Sequence, residues 1–266
     1  MDITKILPLE CISHIISFTS PRDACRSSLV SPTFNSASNS NTLWERFLPP
    51  DYQDFISQKV LSSSASSSLN SLTKKDLYFH LCDHPILIGN SNMSFALEKE
   101  SGKKCIMVGA RGLSIAWGDT SRYWKWTSLP ESRFSEVAEL NYVFWLQIRG
   151  SVDNKLLSLN TTYAAYFVFK FAKSRHGFQE RPVELKVHFE GRENGSRHIM
   201  YLDPPANMPN LTRVRGDGWI EIKMGEFINE NKDDGNVVFS VFDFHGGSTK
   251  GGLIVEGIEL RPTSRG

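Results

Sequence analysis

From Ile86 onward the apolar residues of this chain recur at every second position, a period that strands satisfy and helices do not. Val183, Leu185, Val187 and Phe189 alternate with Glu184, Lys186, His188 and Glu190, the pattern of a half-exposed strand. Tyr163 to Phe171 is apolar on both faces and reads as a central strand. Phe95–Leu97, Cys105–Val108, Ile220–Met224, Val237–Phe244 and Leu253–Leu260 read as further strands. The last two are joined by a glycine-rich turn over 245–252. Ser132–Leu140 and, more weakly, Glu226–Asn231 read as helices. Many short strands with turn chemistry between them imply a β-sandwich or jelly roll.

Four of the six tryptophans, Trp117, Trp124, Trp126 and Trp145, lie between Arg111 and Gly150. Leu113, Ile115 and Trp117 alternate with polar or small residues as a strand. A turn follows at Gly118-Asp119-Thr120-Ser121, and then Tyr123-Trp124-Lys125-Trp126. Trp124 and Trp126, two residues apart on a strand, share one face and suit a stacking platform, with Asp119, Arg122 and Lys125 as polar contacts. Trp145 shares a face with Gln147 and Arg149, which makes it an unobvious core residue. The same tryptophans also suit the packing of a sandwich core.

The first part of the chain has another period. Pro8 suits a first helical turn, and Leu9, Ile12, Ile15 and Ile16 follow at three- and four-residue spacing. Ser20-Pro21-Arg22-Asp23 combines a Ser cap, a proline and an acid three residues on. Leu29 and Val30 are placed on that second helix. Ser31-Pro32 repeats the device, and Thr42-Leu43-Trp44 opens a last short helix. So thin a bundle rarely stands alone. Residues 49–72 are a connector, with a short packing turn at Tyr52, Phe55 and Ile56 and a low-complexity serine run at 62–68. Thr73–Asp83 reads as a brief helix ended by His84-Pro85.

A net charge of +1 leaves no electrostatic footprint for nucleic acid or a membrane surface. Hydrophobic content of 40% supports a real core, and no apolar run is long enough to span a bilayer. The start of the chain does not read as a secretory signal. Cys11, Cys25, Cys82 and Cys105 are widely spaced and read as reduced thiols. The seven histidines form no metal-ligand or nucleophile spacing, so no metal, cofactor or catalytic residue is expected. The Asn-x-Ser/Thr triplets are read as chance matches.

Residues 7–49 resemble an F-box, on Leu7-Pro8, the isoleucines 12, 15 and 16, Ser20-Pro21-Arg22-Asp23, Leu29-Val30-Ser31, Phe34 and Leu43-Trp44. The resemblance implies docking on the Skp adaptor of a cullin–RING ubiquitin ligase through Leu7, Pro8, Ile12, Ile15, Ile16, Pro21, Leu29, Val30 and Trp44. Residues from about Lys104 to Pro262 resemble the phloem protein 2, or Nictaba-like, lectin family of plants. The segments ARGLSIAW, YWKW, WLQIRG, DGWIEIKMGEF and GLIVEGIELRP carry this likeness. It implies oligosaccharide binding by Trp117, Asp119, Tyr123, Trp124 and Trp126.

The expected fold is α+β: a small helical F-box (1–48), a helical connector (49–85) and a mainly-β, jelly-roll-like sandwich of lectin type (86–266). The expected function is a non-catalytic, cytoplasmic or nuclear substrate receptor of an SCF-type ligase. The Skp-type adaptor and a target, glycosylated or not, are its partners. The alternatives are a stand-alone lectin with a helical cap, and a protein-recognition module that has lost sugar binding.

Overall fold

A computed structural model of the protein describes residues 7–60, 69–192, 194–230, 235–243 and 248–263. The chain divides into two compact units. One comprises Met1–Ile88 with Phe95–Cys105, the other Gly89–Ser94 with Ile106–Gly266. The serine run at 62–68 and residues 245–247 of the glycine-rich turn expected at 245–252 fall outside the described residues, and Gly251 and Gly252 of that turn open a strand.

The first unit carries helices α1 (Leu9–Ile16), α2 (Pro21–Ser27), α3 (Pro32–Ser38), α4 (Asn41–Phe47), α5 (Tyr52–Val60) and α6 (Lys74–Asp83). It also holds strand β1 (Ile86–Ile88) and most of β2 (Met93–Leu97). The serine caps operate as the sequence suggests: Asp23 N–H donates to Ser20 Oγ at 3.1 Å, and Phe34 N–H to Ser31 Oγ at 3.3 Å. Trp44 is the pivot of this core. It is completely buried, donates its indole N–H to the Ser38 carbonyl at 2.7 Å, and packs against Tyr78 and Phe79 at 5.2 and 5.3 Å between centroids. Phe55 stacks on Phe95 at 4.1 Å, so the expected turn at 52–56 is a nine-residue helix fixed by tertiary packing.

The second unit is built from two antiparallel sheets. In the first, β14 (Gly251–Pro262) lies between β3 (Lys104–Gly109) and β8 (Thr161–His176). β12 (Ile220–Asn229) pairs with β8, and β11 (Arg213–Val214) with β12. A two-strand extension, β5 (Trp124–Thr127) on β6 (Val137–Leu140), joins β14. The second sheet runs β10 (Ser196–Met200), β9 (Val183–Phe189), β13 (Asn236–Asp243), β7 (Leu146–Asp153), β4 (Ser114–Ile115). Val183, Leu185, Val187, Val237, Phe239, Val241, Leu146, Ile148 and Val152 are buried, and their neighbours in sequence face outward, as the alternation predicts. Phe189 of the second sheet meets Phe227 of the first edge-on at 5.7 Å. A small helical unit and a mainly-β sandwich in one chain make up the α+β class read from the sequence.

Three local expectations are corrected. The segment 132–140 is not a helix. Ser132 Oγ–H and Arg133 N–H both donate to Glu256 Oε1 at 3.1 Å, and Val137–Leu140 is taken into the sheet by β5 and β14. Glu226–Asn229 continues β12 because Phe227 stacks on Tyr163 at 5.7 Å and the backbone pairs with Thr161–Ala164. The strand expected at 113–117 keeps only Ser114–Ile115, because Trp117 adopts φ +64° and turns the chain. In the first two cases tertiary pairing outweighs local preference.

Candidate functional site

The loop from Ala116 to Tyr123 leaves β4 at the edge of the second sheet. Ala116 N–H donates to the Gln147 carbonyl at 2.9 Å. Two successive turns follow, closed by Gly118 N–H to Ile115 O and Thr120 N–H to Trp117 O, both 2.9 Å. Trp117 sits between them at φ +64°, a conformation that costs a bulky residue on the order of 1–3 kcal/mol. Its side chain is 58% exposed, tilted against the Tyr123 ring at 5.9 Å. Tyr123 in turn meets Tyr142 at 5.5 Å, and the Arg122 guanidinium bonds the Tyr142 hydroxyl. Asp119 is exposed on the same loop.

The Trp124 and Trp126 pair is placed otherwise than a stacking platform requires. Both point to one face of β5, but Trp124 is 1% exposed and its N–H donates to the Ala116 carbonyl at 3.1 Å. Trp126 is half-buried under the Arg111 guanidinium, 3.7 Å from the ring centroid, and its N–H donates to the Gly118 carbonyl at 2.9 Å. The carbonyls on either side of Trp117 are therefore each held by one indole. Trp124 offers no ring face to a ligand; it holds the loop that displays Trp117. Lys125 lies on the opposite face of β5, towards Glu139. The structure thus brings together Trp117, Asp119, Arg122 and Tyr123, and adds Tyr142, which the sequence reading did not single out. The repeated Tyr at 123 and 142, each followed within three residues by a Trp, is the available signal.

The helical unit separates its apolar residues into two sets. Ile12, Ile16, Pro21 and Trp44 are buried in its own core, contrary to their expected place on a docking face. The α1 stripe spans more of the helix than the bundle covers, so its centre packs inward and its edges, Leu9 and Ile15, stay exposed. Helix α2 ends at Ser27. Leu29 and Val30 stand in the turn beyond it, Leu29 at 86% exposure. Phe18, 75% exposed and edge-on to His14 at 4.8 Å, belongs to this set and was missed, although it lies three residues from Ile15. Leu7 is half-buried and Pro8 exposed.

Together these features define a class: a short helical module with uncovered apolar side chains, joined in one chain to a β-sandwich with an aromatic edge loop. A family profile described as F-box domain matches residues 5–46, and one described as phloem protein 2 matches residues 103–262. The chain belongs to the phloem protein 2 family and carries an F-box. An Arabidopsis thaliana F-box protein is 44% identical over 265 residues, covering 97% of this chain and 80% of its own length. From the same plant, putative F-box protein PP2-B2 is 43% identical (97% and 82% covered), and F-box protein PP2-B10 is 43% identical (96% and 92%). Among solved structures, a family 35 carbohydrate-binding module from Clostridium thermocellum aligns over 59% of this chain and 96% of its own. Its identity is 14% and its TM-score 0.35. Among the described residues no helix is long and apolar enough to cross a membrane, and no cluster of His, Cys, Asp and Glu could hold a metal ion.

Proposed function

We propose that the chain is the substrate-recognition subunit of an SCF-type cullin–RING ubiquitin ligase. The F-box would dock a Skp-type adaptor, and the sandwich would hold the target through its glycans. The observation that carries the first half is the division of the F-box residues. Ile12, Ile16 and Trp44 close the core, while Leu9, Ile15, Phe18, Leu29 and Val30 remain uncovered. Large apolar side chains left in water gain about 1.5–3 kcal/mol each when a partner buries them, which suits a docking face.

The second half rests on Trp117. A bulky residue in the left-handed region persists where the fold over-determines it, and here two indole N–H groups fix the flanking carbonyls. The exposed indole, with Tyr123 beside it and Asp119 on the same loop, supplies an apolar face for a pyranose and polar groups for its hydroxyls. The chain itself would carry no catalytic step. It would raise the local concentration of target lysines near the ubiquitin-charged partner. A glycan array with the full chain and its Trp117→Ala variant tests the sugar reading. Signal on neutral N-acetylglucosamine oligomers that the variant loses is expected. A folded wild-type chain that binds no glycan leaves the sandwich as a protein-recognition module.

A further inference from the structure

The outer face of the second sheet carries a row of polar and cationic side chains outside the Trp117 loop. Ser240 of β13 is paired with Arg149 of β7 on one side and Lys186 of β9 on the other. Arg197 of β10 lies opposite Lys186, and Ser114 of β4 opposite Arg149. Arg197, Lys186, Ser240, Arg149 and Ser114 thus cross all five strands, and each is exposed or half-buried. The neighbouring row places Phe242 between Glu184 and Gln147, and Trp145 meets Phe242 edge-on at 5.7 Å.

The charges of the row do not balance. Glu184 is held by Arg197 at 2.6 Å. No carboxylate of the described residues lies within ion-pair distance of Lys186 or Arg149. The Arg149 guanidinium instead faces the Gln147 amide, whose oxygen, once the amide is turned over, accepts from Nε at 2.7 Å and Nη2 at 3.1 Å. Strands lie about 4.8 Å apart, so the two cations are anchored roughly 10 Å apart with the Ser240 hydroxyl between them. Like charges on one sheet face repel weakly at this distance, and an anion placed between them would turn that repulsion into attraction. The row also continues into the Trp117 loop. Ala116 N–H bonds the Gln147 carbonyl, Gln147 and Arg149 share the outward face of β7, and Trp145 stands in the bend just before that strand, against Phe242.

We infer that Lys186, Ser240 and Arg149 form a subsite for the negatively charged group of an oligosaccharide, a uronate carboxylate or a sulfate ester, on a ligand that extends from the Trp117 loop across Trp145. The occupant rests on the glycan reading of Trp117; the anion subsite rests on the row itself. Two cationic donors and a hydroxyl converging from adjacent strands suit an oxyanion, and the aromatic rings along the same path suit sugar rings better than an acidic peptide.

The test is calorimetry on the full chain with tri-galacturonate and its neutral methyl ester, which share rings and linkages and differ at the carboxyl groups, charged in one and methylated in the other. The acid is expected to bind about tenfold more tightly than the ester at low salt. Lys186→Met and Arg149→Met should each remove most of that difference while leaving ester binding unchanged. Equal affinity for acid and ester overturns the inference and leaves the Trp117 reading standing. A second readout separates the two claims. Free glucuronate should shift the His188 imidazole resonances in wild-type and Trp117→Ala chains alike, but not in Lys186→Met/Arg149→Met. A shift in a chain that binds no neutral N-acetylglucosamine oligomer would sink the Trp117 reading alone. Tighter binding of an acidic peptide than of tri-galacturonate would overturn the assigned occupant.

Discussion

Trp126 donates its indole N–H to the carbonyl of Gly118 at 2.9 Å, across a span of eight residues. Trp124 makes the matching bond to Ala116 at 3.1 Å. The residue between those two acceptors is Trp117. Two tryptophans are thus used as hydrogen-bonding struts so that a third can remain in water, which makes the role of each separable by substitution.

Trp126→Phe keeps the ring under Arg111 but removes the strut. The chain should fold, lose about 0.5–1.5 kcal/mol of stability, and bind neutral glycans more weakly. Trp124→Phe also leaves a gap in a fully buried site and should cost more, about 1–3 kcal/mol. Thermal melts of both, beside glycan titration of Trp126→Phe, check the order. A Trp126→Phe chain with unchanged affinity would show that the loop needs no strut.

Trp117→Gly should separate display from packing. Glycine adopts φ +64° without a Cβ penalty, so the melting temperature should hold or rise while glycan binding is lost. A fall of several degrees would mean that the exposed indole is mainly a structural contact.

Trp44→Ala removes a completely buried ring and the partner of the Ser38 carbonyl. It should destabilise the helical unit by about 3–5 kcal/mol. Leu29→Asp, at an exposed turn position, should stay within about 0.5 kcal/mol of wild type. Circular dichroism melts compare the two. Similar losses would contradict the separation of core and docking residues.

Burial, with Lys186 and Arg149 nearby, holds the His188 imidazole below its ordinary value of 6.5. Below that value the unfolded chain binds more protons than the folded one, so stability is fully present above pH 6.5 and declines as pH falls. His188→Gln should flatten this acid limb in urea titrations at stepped pH. An unchanged limb would place the acid sensitivity elsewhere.

Much of this architecture is written in periodicity. The β9 alternation and the doubly apolar β8 appear as read, because burial of one or both faces sets their side-chain pattern directly. The errors occur where a long-range partner decides. Ser132 and Arg133 are held by Glu256, more than a hundred residues away, and no local pattern records that bond. The two-residue period puts Trp124 and Trp126 on one face, but it does not tell whether that face meets solvent or the carbonyls of a folded-back loop. On α1 the isoleucine spacing located the apolar stripe; only the width of the neighbouring helices determines that Ile12 and Ile16 are covered and Ile15 is not.

The most direct measurement is the affinity of the full chain for a purified Skp-type adaptor, taken by calorimetry with wild type, Ile15→Asp and Leu29→Asp. A one-to-one complex with a Kd of about 1 μM or tighter is expected, lost in both variants although their melting temperatures are kept. A wild-type chain that stays monomeric beside the adaptor, or variants that bind as well as wild type, would contradict the proposed docking.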